Sequence, residues 1–329
     1  MDNTISITQQ LSSIKVSLII QHSLLLVCIV LLTACGGEGS CDNLQPGTYQ
    51  CQLEHDSLMR NYTVHVPKSY SGMQSVPLVF DIHGFIEHPY LQILWSGFLQ
   101  KSEEKNFIVV WPQGSGAPFY YNAGSCCDLF GREADDVGFF RALVAQLKSS
   151  ANIDEDKVFA TGLSNGGAMS LHLGCEATDL FAAIAPLGYI LGEDHNCQPS
   201  KPLPVINFMT PTDQLVNIRG GAVGPVSFID EKFPHLLTLL PPNLQIRTLS
   251  MEDSQQVWRD NNGCSTTKTE VYRKGKSYCI TYGECTSGAP VTSCVLDGKG
   301  QFLGGHINYI NNDHVPVADI IWDFFSRVK

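Results

Sequence analysis

Residues 158–169 read Val-Phe-Ala-Thr-Gly-Leu-Ser-Asn-Gly-Gly-Ala-Met. An apolar run passes through Gly162-x-Ser164-x-Gly166 into a stretch that reads as helix, an order that places Ser164 on a sharp strand-to-helix turn. Glycines on either side leave room for strand and helix to approach closely. Short apolar runs at 76–82, 107–111, 158–161, 182–187 and 204–209 have the length and composition of buried parallel strands. Helical stretches separate them. Asp135-Asp136 can cap a helix whose Val137, Phe140, Val144 and Leu147 share one face, and residues 315–328 carry a similar stripe. Alternation in 47–54 and 62–66 predicts an opening antiparallel pair. The expected fold class is α/β, a doubly wound, mostly parallel sheet with antiparallel opening strands.

Composition supports a large core. The 329 residues are 43% hydrophobic and only 16% charged, with a formal net charge of −11, which excludes a disordered chain and argues against a basic nucleic-acid surface. Twelve cysteines point to zinc or to an oxidising compartment. Lys15 precedes an apolar stretch, 16–32, too short and too interrupted by Gln21, His22 and serines for a membrane span. It reads as a signal peptide. Its end, Leu32-Thr33-Ala34-Cys35, resembles the lipobox of bacterial lipoproteins, which implies lipidation at Cys35 and an envelope or secreted location. The expected organisation is a signal peptide at 1–34, a linker at 35–46 and a single catalytic domain at 47–329. The only expected membrane contact is the lipid anchor.

A serine hydroxyl near neutral pH needs an imidazole base oriented by a carboxylate. Asp213 follows the run 204–209 through Thr210-Pro211-Thr212, a strand-end position suited to that acid. Two histidines compete as base. His306 follows Gly304-Gly305, which permit a tight loop, whereas His314 precedes Val315-Pro316 and is better placed to cap or pack at the last helix. The run 76–82 ends in His83-Gly84-Phe85, so the N–H groups of Phe85 and of Asn165 are the expected oxyanion donors, with His83 tying down the loop. No Cys-x-x-Cys pair occurs and His83 lacks a partner at ligand spacing, so neither a zinc site nor a cofactor is expected.

Segments 81–85, 107–114, Asn122-Ala123-Gly124-Ser125-Cys126-Cys127, Asp135-Asp136-Val137-Gly138-Phe139, 160–167, Cys175-Glu176 and 181–186 resemble, in order and spacing, a group of secreted esterases. These are the feruloyl esterases, carbohydrate esterase family one and poly(3-hydroxybutyrate) depolymerase-like enzymes of the α/β-hydrolase superfamily. The likeness continues through Thr212-Asp213-Gln214-Leu215-Val216 and Asn262-Gly263-Cys264 to Gly305-His306. It implies an α/β-hydrolase fold, with Ser164 as nucleophile, Asp213 as acid and His306 as base. The implied reaction is ester hydrolysis through an acyl-enzyme, releasing feruloyl or acetyl groups from polysaccharide fragments. Short hydroxyalkanoate esters, or a catalytically silent binding lipoprotein, are the alternatives. Where the family usually has pocket tryptophans this chain has Tyr121 and Asn308, and the stretch 220–249, with Phe228 and Phe233, is a candidate lid.

From Cys41 onward the cysteines number ten, enough for five disulfides. Cys41 and Cys51 flank the first hairpin. Cys264 is expected with Cys285, and Cys279 with Cys294. Within Cys126, Cys127, Cys175 and Cys197, one of the adjacent pair is expected to reach Cys175.

Overall fold

Five of the apolar runs form the parallel centre of one sheet: β3 (Val76–Ile82), β4 (Ile108–Pro112), β5 (Ile153–Leu163), β6 (Ala183–Leu187) and β7 (Val205–Met209). The computed structural model describes residues 41–128, 130–224, 235, 244–299, 301–307 and 315–328. These lie in one unit, Gly39–Lys329. The opening hairpin, β1 (Gly47–His55) and β2 (Leu58–Val66), joins the sheet antiparallel to β4. At the far edge β12 (Val291–Val295) runs parallel to β7 and is followed outward by antiparallel β11 (Ser277–Tyr282) and β10 (Lys268–Lys274). The strand order is β1-β2-β4-β3-β5-β6-β7-β12-β11-β10.

Side chains alternate across the sheet, so each central strand feeds two cores. Leu78, Phe80 and Ile82 enter one core with α3 (Asp136–Ser150), α4 (Asn165–Glu176) and α5 (Met251–Asn262). Val79, Val109 and Phe159 enter the other with α2 (Phe98–Lys105) and α6 (Val317–Phe325). There Phe159 stacks on Phe325 at 4.5 Å and Phe107 on Trp322 at 4.3 Å. Asp135 caps α3 by accepting the Gly138 N–H at 2.8 Å. A shorter helix, α1 (Pro89–Ser96), follows β3. The segment 220–249 begins and ends in a two-stranded ribbon, β8 (Gly221–Ala222) with β9 (Arg247–Thr248); its candidate lid residues, Phe228 and Phe233, lie outside the described residues.

The structure corrects two expectations. Residues 41–46 are not a linker: Leu44 is buried, its N–H donates to the Ser150 carbonyl, and Cys41 is disulfide-bonded to Cys51 on β1. An apolar side chain docked on the end of α3 belongs to the domain. Cys35 lies outside the described residues. Secondly, Cys175 pairs with Cys197, and Cys126 pairs with its neighbour Cys127. Cys126 sits against Asn165 at the head of α4, and Cys175 stands ten residues along that helix, about 15 Å away at 1.5 Å per residue. A disulfide spans only about 4.4–6.8 Å between Cα atoms. Cys264–Cys285 and Cys279–Cys294 pair as expected, the latter across directly opposed positions of β11 and β12.

One buried ion pair links the hairpin to the loops above the sheet. Arg60 Nη2 lies 2.6 Å from Asp136 Oδ1, and both side chains are almost wholly buried. The other oxygen, Asp136 Oδ2, accepts the Asn122 N–H at 2.7 Å. Replacing Arg60 by Met would strand the Asp136 charge. We expect a stability loss of about 3–5 kcal/mol in urea unfolding, and a loss under about 1 kcal/mol would contradict this role.

Candidate active site

Ser164 joins β5 to α4 with φ 57° and ψ −117°, a conformation that non-glycine residues rarely adopt. Its N–H donates to the Leu187 carbonyl on β6, and its own carbonyl accepts the Ala168 N–H, both at 2.9 Å. The flanking glycines are required by space. A Cβ on Gly162 would meet the Ile82 carbonyl oxygen at 2.5 Å, and one on Gly166 would run into that same oxygen. The elbow is thus wedged against the end of β3.

Asp213 leaves the end of β7 through a turn in which its N–H donates to the Thr210 carbonyl at 3.1 Å. Its Oδ1 accepts the N–H groups of Leu215 and Val216 at 2.8 and 2.9 Å, and its Oδ2 lies 2.7 Å from His306 Nδ1. With the carboxylate as acceptor, Nδ1 carries the proton and Nε2 presents its lone pair on the opposite edge. Nε2 is buried and has no hydrogen-bond partner among the described residues. Gly304 and Gly305, both at positive φ, shape the loop, and the hydroxyls of Thr212 and Thr210 hold their carbonyls at 2.7 and 3.1 Å. His306 Cε1 would lie 3.4 Å from a Cβ placed on Gly188, the residue after Leu187. The imidazole and the elbow therefore rest on the same end of β6. His314 and Asn308 lie outside the described residues.

Behind the serine, His83 fixes the expected oxyanion loop. Its Nε2 accepts the Gly114 N–H at 2.9 Å, so Nδ1 is the protonated nitrogen and donates to the Gly84 carbonyl at 2.7 Å. Burial pushes its pKa down to about 4, which keeps the ring neutral. Among the described residues, the N–H groups of Phe85 and Asn165 have no hydrogen-bond acceptor, as an oxyanion site requires. Tyr121 does not line a substrate wall as expected from sequence. It is fully buried, its hydroxyl donates to the Pro112 carbonyl at 2.8 Å, and its ring packs on His83.

Three supporting groups escaped the sequence reading. The Asn165 side chain pairs with the Tyr121 backbone in both directions, accepting its N–H at 2.8 Å and donating to its carbonyl at 2.9 Å. Asp81, on β3, accepts from Gln92, Ser96 and the Trp111 indole, which anchors α1; burial lifts its pKa to about 6 against those three hydrogen bonds. Glu87 Oε2 accepts the Gly84 N–H at 2.6 Å, while Oε1 is buried with no partner among the described residues. Burial raises its pKa to about 7, opposed by the Gly84 hydrogen bond. A lone carboxylate three residues after His83-Gly84, in an otherwise apolar loop, was the available signal.

A helix-covered, mostly parallel sheet with a strained strand-to-helix turn at Ser164 after β5 is the α/β-hydrolase fold. No protein-family model matches this chain. It is similar to feruloyl esterase B of Piromyces equi, 27% identical over 251 residues that cover 74% of this chain and 43% of that protein. It thus spans less than half of that relative's length. A probable feruloyl esterase C of Aspergillus terreus is 25% identical over 278 residues, covering 81% of this chain and 84% of the relative. The solved acetyl xylan esterase from Aspergillus awamori shares the fold, with a TM-score of 0.56 at 14% identity over 85% of this chain and 99% of that one.

Glu87 makes stability depend on pH in a defined direction. Below its ordinary pKa of 4.5 the carboxyl is protonated whether the chain is folded or not; between there and about 7 the unfolded chain ionises first, so stability falls as pH rises. Asp81 acts in the same direction. Glu87→Gln keeps an acceptor for Gly84 and removes the charge, so the drop in unfolding free energy from pH 5 to pH 8 should shrink by about 1–3 kcal/mol. An unchanged drop in urea titrations at the two pH values would show that Glu87 ionises as freely as in water.

Proposed function

We propose that this protein is a serine esterase that cleaves carboxylic esters, releasing feruloyl or acetyl groups from polysaccharide fragments. The observation that carries the reading is the contact of Asp213 with His306 Nδ1, which leaves Nε2 unpartnered on the same strand end as the Ser164 elbow. His306 takes the Ser164 proton as the hydroxyl oxygen attacks the ester carbonyl. Phe85 and Asn165 N–H groups hold the developing oxyanion, the alcohol leaves with the proton from His306, and water activated by the same base releases the acid. Asp213 orients the ring and balances its transient charge.

The names of the relatives, feruloyl esterases and an acetyl xylan esterase, support the acyl class and an oligosaccharide or small-molecule ester as partner. They do not favour the hydroxyalkanoate or silent-binding alternatives. Five disulfides fit an oxidising compartment outside the cytosol. Lipid anchoring through Cys35 is the finer proposal, and it rests on the Leu-Thr-Ala-Cys pattern.

Ser164→Ala and His306→Ala should each lower turnover of p-nitrophenyl acetate by about three to six orders of magnitude, with His314→Ala close to wild type. Retention of wild-type turnover by Ser164→Ala would remove the mechanism. Methyl ferulate and acetylated xylo-oligosaccharides should be hydrolysed faster than a 3-hydroxybutyrate trimer; the reverse order would shift the substrate class to polyester fragments.

A further inference from the structure

His172 and Glu176 lie one turn apart on α4, so they share a face of that helix. His195 reaches the same place from the loop after β6, where its N–H donates to the Gly192 carbonyl at 3.2 Å. The Cys175–Cys197 disulfide clamps that loop to the helix within two residues of each of these side chains except His172. One donor atom from each of His172, Glu176 and His195 lies within 4.8 Å of the other two. The two rings meet edge to face, with centroids 5.2 Å apart.

His172 Nδ1 and His195 Nε2 are both buried, and neither has a hydrogen-bond partner among the described residues. Two imidazoles packed edge to face, each with a buried nitrogen left unsatisfied, are costly unless a ligand occupies those nitrogens. Gly124 packs over the two rings without a side chain: a Cβ there would sit 3.1 Å from His172 Nδ1 and 3.2 Å from His195 Cε1. Glu176 is exposed and brings a negative charge to the outer edge.

We infer that His172, Glu176 and His195 bind one divalent transition-metal ion of the zinc class, separate from the Ser164 site. Two imidazoles and a carboxylate suit such an ion, with water completing a four-coordinate shell on the exposed side. Ligand atoms of one tetrahedral zinc stand about 3.3 Å apart, so small side-chain rotations close the set. The sulfurs of Cys175 and Cys197 also lie near His195, but the disulfide removes them as thiolate ligands. Sequence spacing hid the site, because His195 lies far along the chain from the helical pair. The ion would brace the far half of α4, whose head carries Ser164, against the loop after β6.

The test uses the oxidised full chain, stripped with chelator and dialysed without reductant, and titrated with Zn2+ or Co2+. One equivalent should bind with micromolar or tighter affinity, raising the unfolding temperature, and Co2+ should give the intense visible bands of a four-coordinate site. His172→Gln and His195→Gln should each abolish this, and Glu176→Gln, at an exposed position, should weaken it at least tenfold while near-UV circular dichroism stays unchanged. No stoichiometric binding, or binding equal in all three variants, would overturn the inference. None of these readouts depends on ester hydrolysis, so they stand or fall apart from the proposed activity.

Discussion

The end of β3, the elbow after β5 and the first turn of α4 meet with no space for a side chain between them. The carbonyl oxygen of Ile82 stands where a Cβ on Gly162 or Gly166 would fall, and this contact sets how far the serine corner rises above the sheet. Ser164 is held in its unusual backbone conformation from both sides: β6 takes its N–H through Leu187, and α4 returns a hydrogen bond to its carbonyl. Strain at one residue persists where neighbouring structure over-determines it. The parallel strands β3, β5 and β6, locked in register, supply that constraint.

Loops that complete the site are held by polar groups taken out of water. His83 bridges the loop after β3 to Gly114, Glu87 holds Gly84, and Asn165 pairs with the Tyr121 backbone. Behind them the Arg60–Asp136 pair connects the opening hairpin to Asn122. A buried polar group is costly when unpaired, and the directed partners named here restrict the loop geometry. The same logic applies to Asp213, whose two backbone donors fix one oxygen so that the other meets His306. Apolar packing extends into these loops through Tyr121, Ala123, Tyr189, Ile190 and Val216, and the directed bonds select one geometry among those that packing allows.

Four of the five disulfides lie outside this polar layer. Cys41–Cys51 fastens the chain entry to the first strand, Cys175–Cys197 closes the loop after β6 onto α4, and two bridges stitch the far edge. That far edge needs them: β10 is largely exposed and polar, so burial contributes little to holding it.

The amino-acid sequence by itself determined the central sheet, the elbow and the residues offered for the site, because each leaves a local trace. Apolar runs of strand length, glycines around Ser164, an aspartate after a strand and a glycine pair before His306 are all readable within a few residues. It could not give β10 to β12, whose alternation is masked by exposed and polar positions, nor the docking of Leu44. Tertiary structure alone decided which side chains stand behind the site. Asp81 and Asn165 find their partners across separate segments, and a helix's length, invisible in cysteine spacing, keeps Cys126 from Cys175 and leaves Cys197 as its partner. Local pattern fixes periodicity and turns, but buried polar pairing is a property of distances between segments, and those exist only once the sheet has assembled.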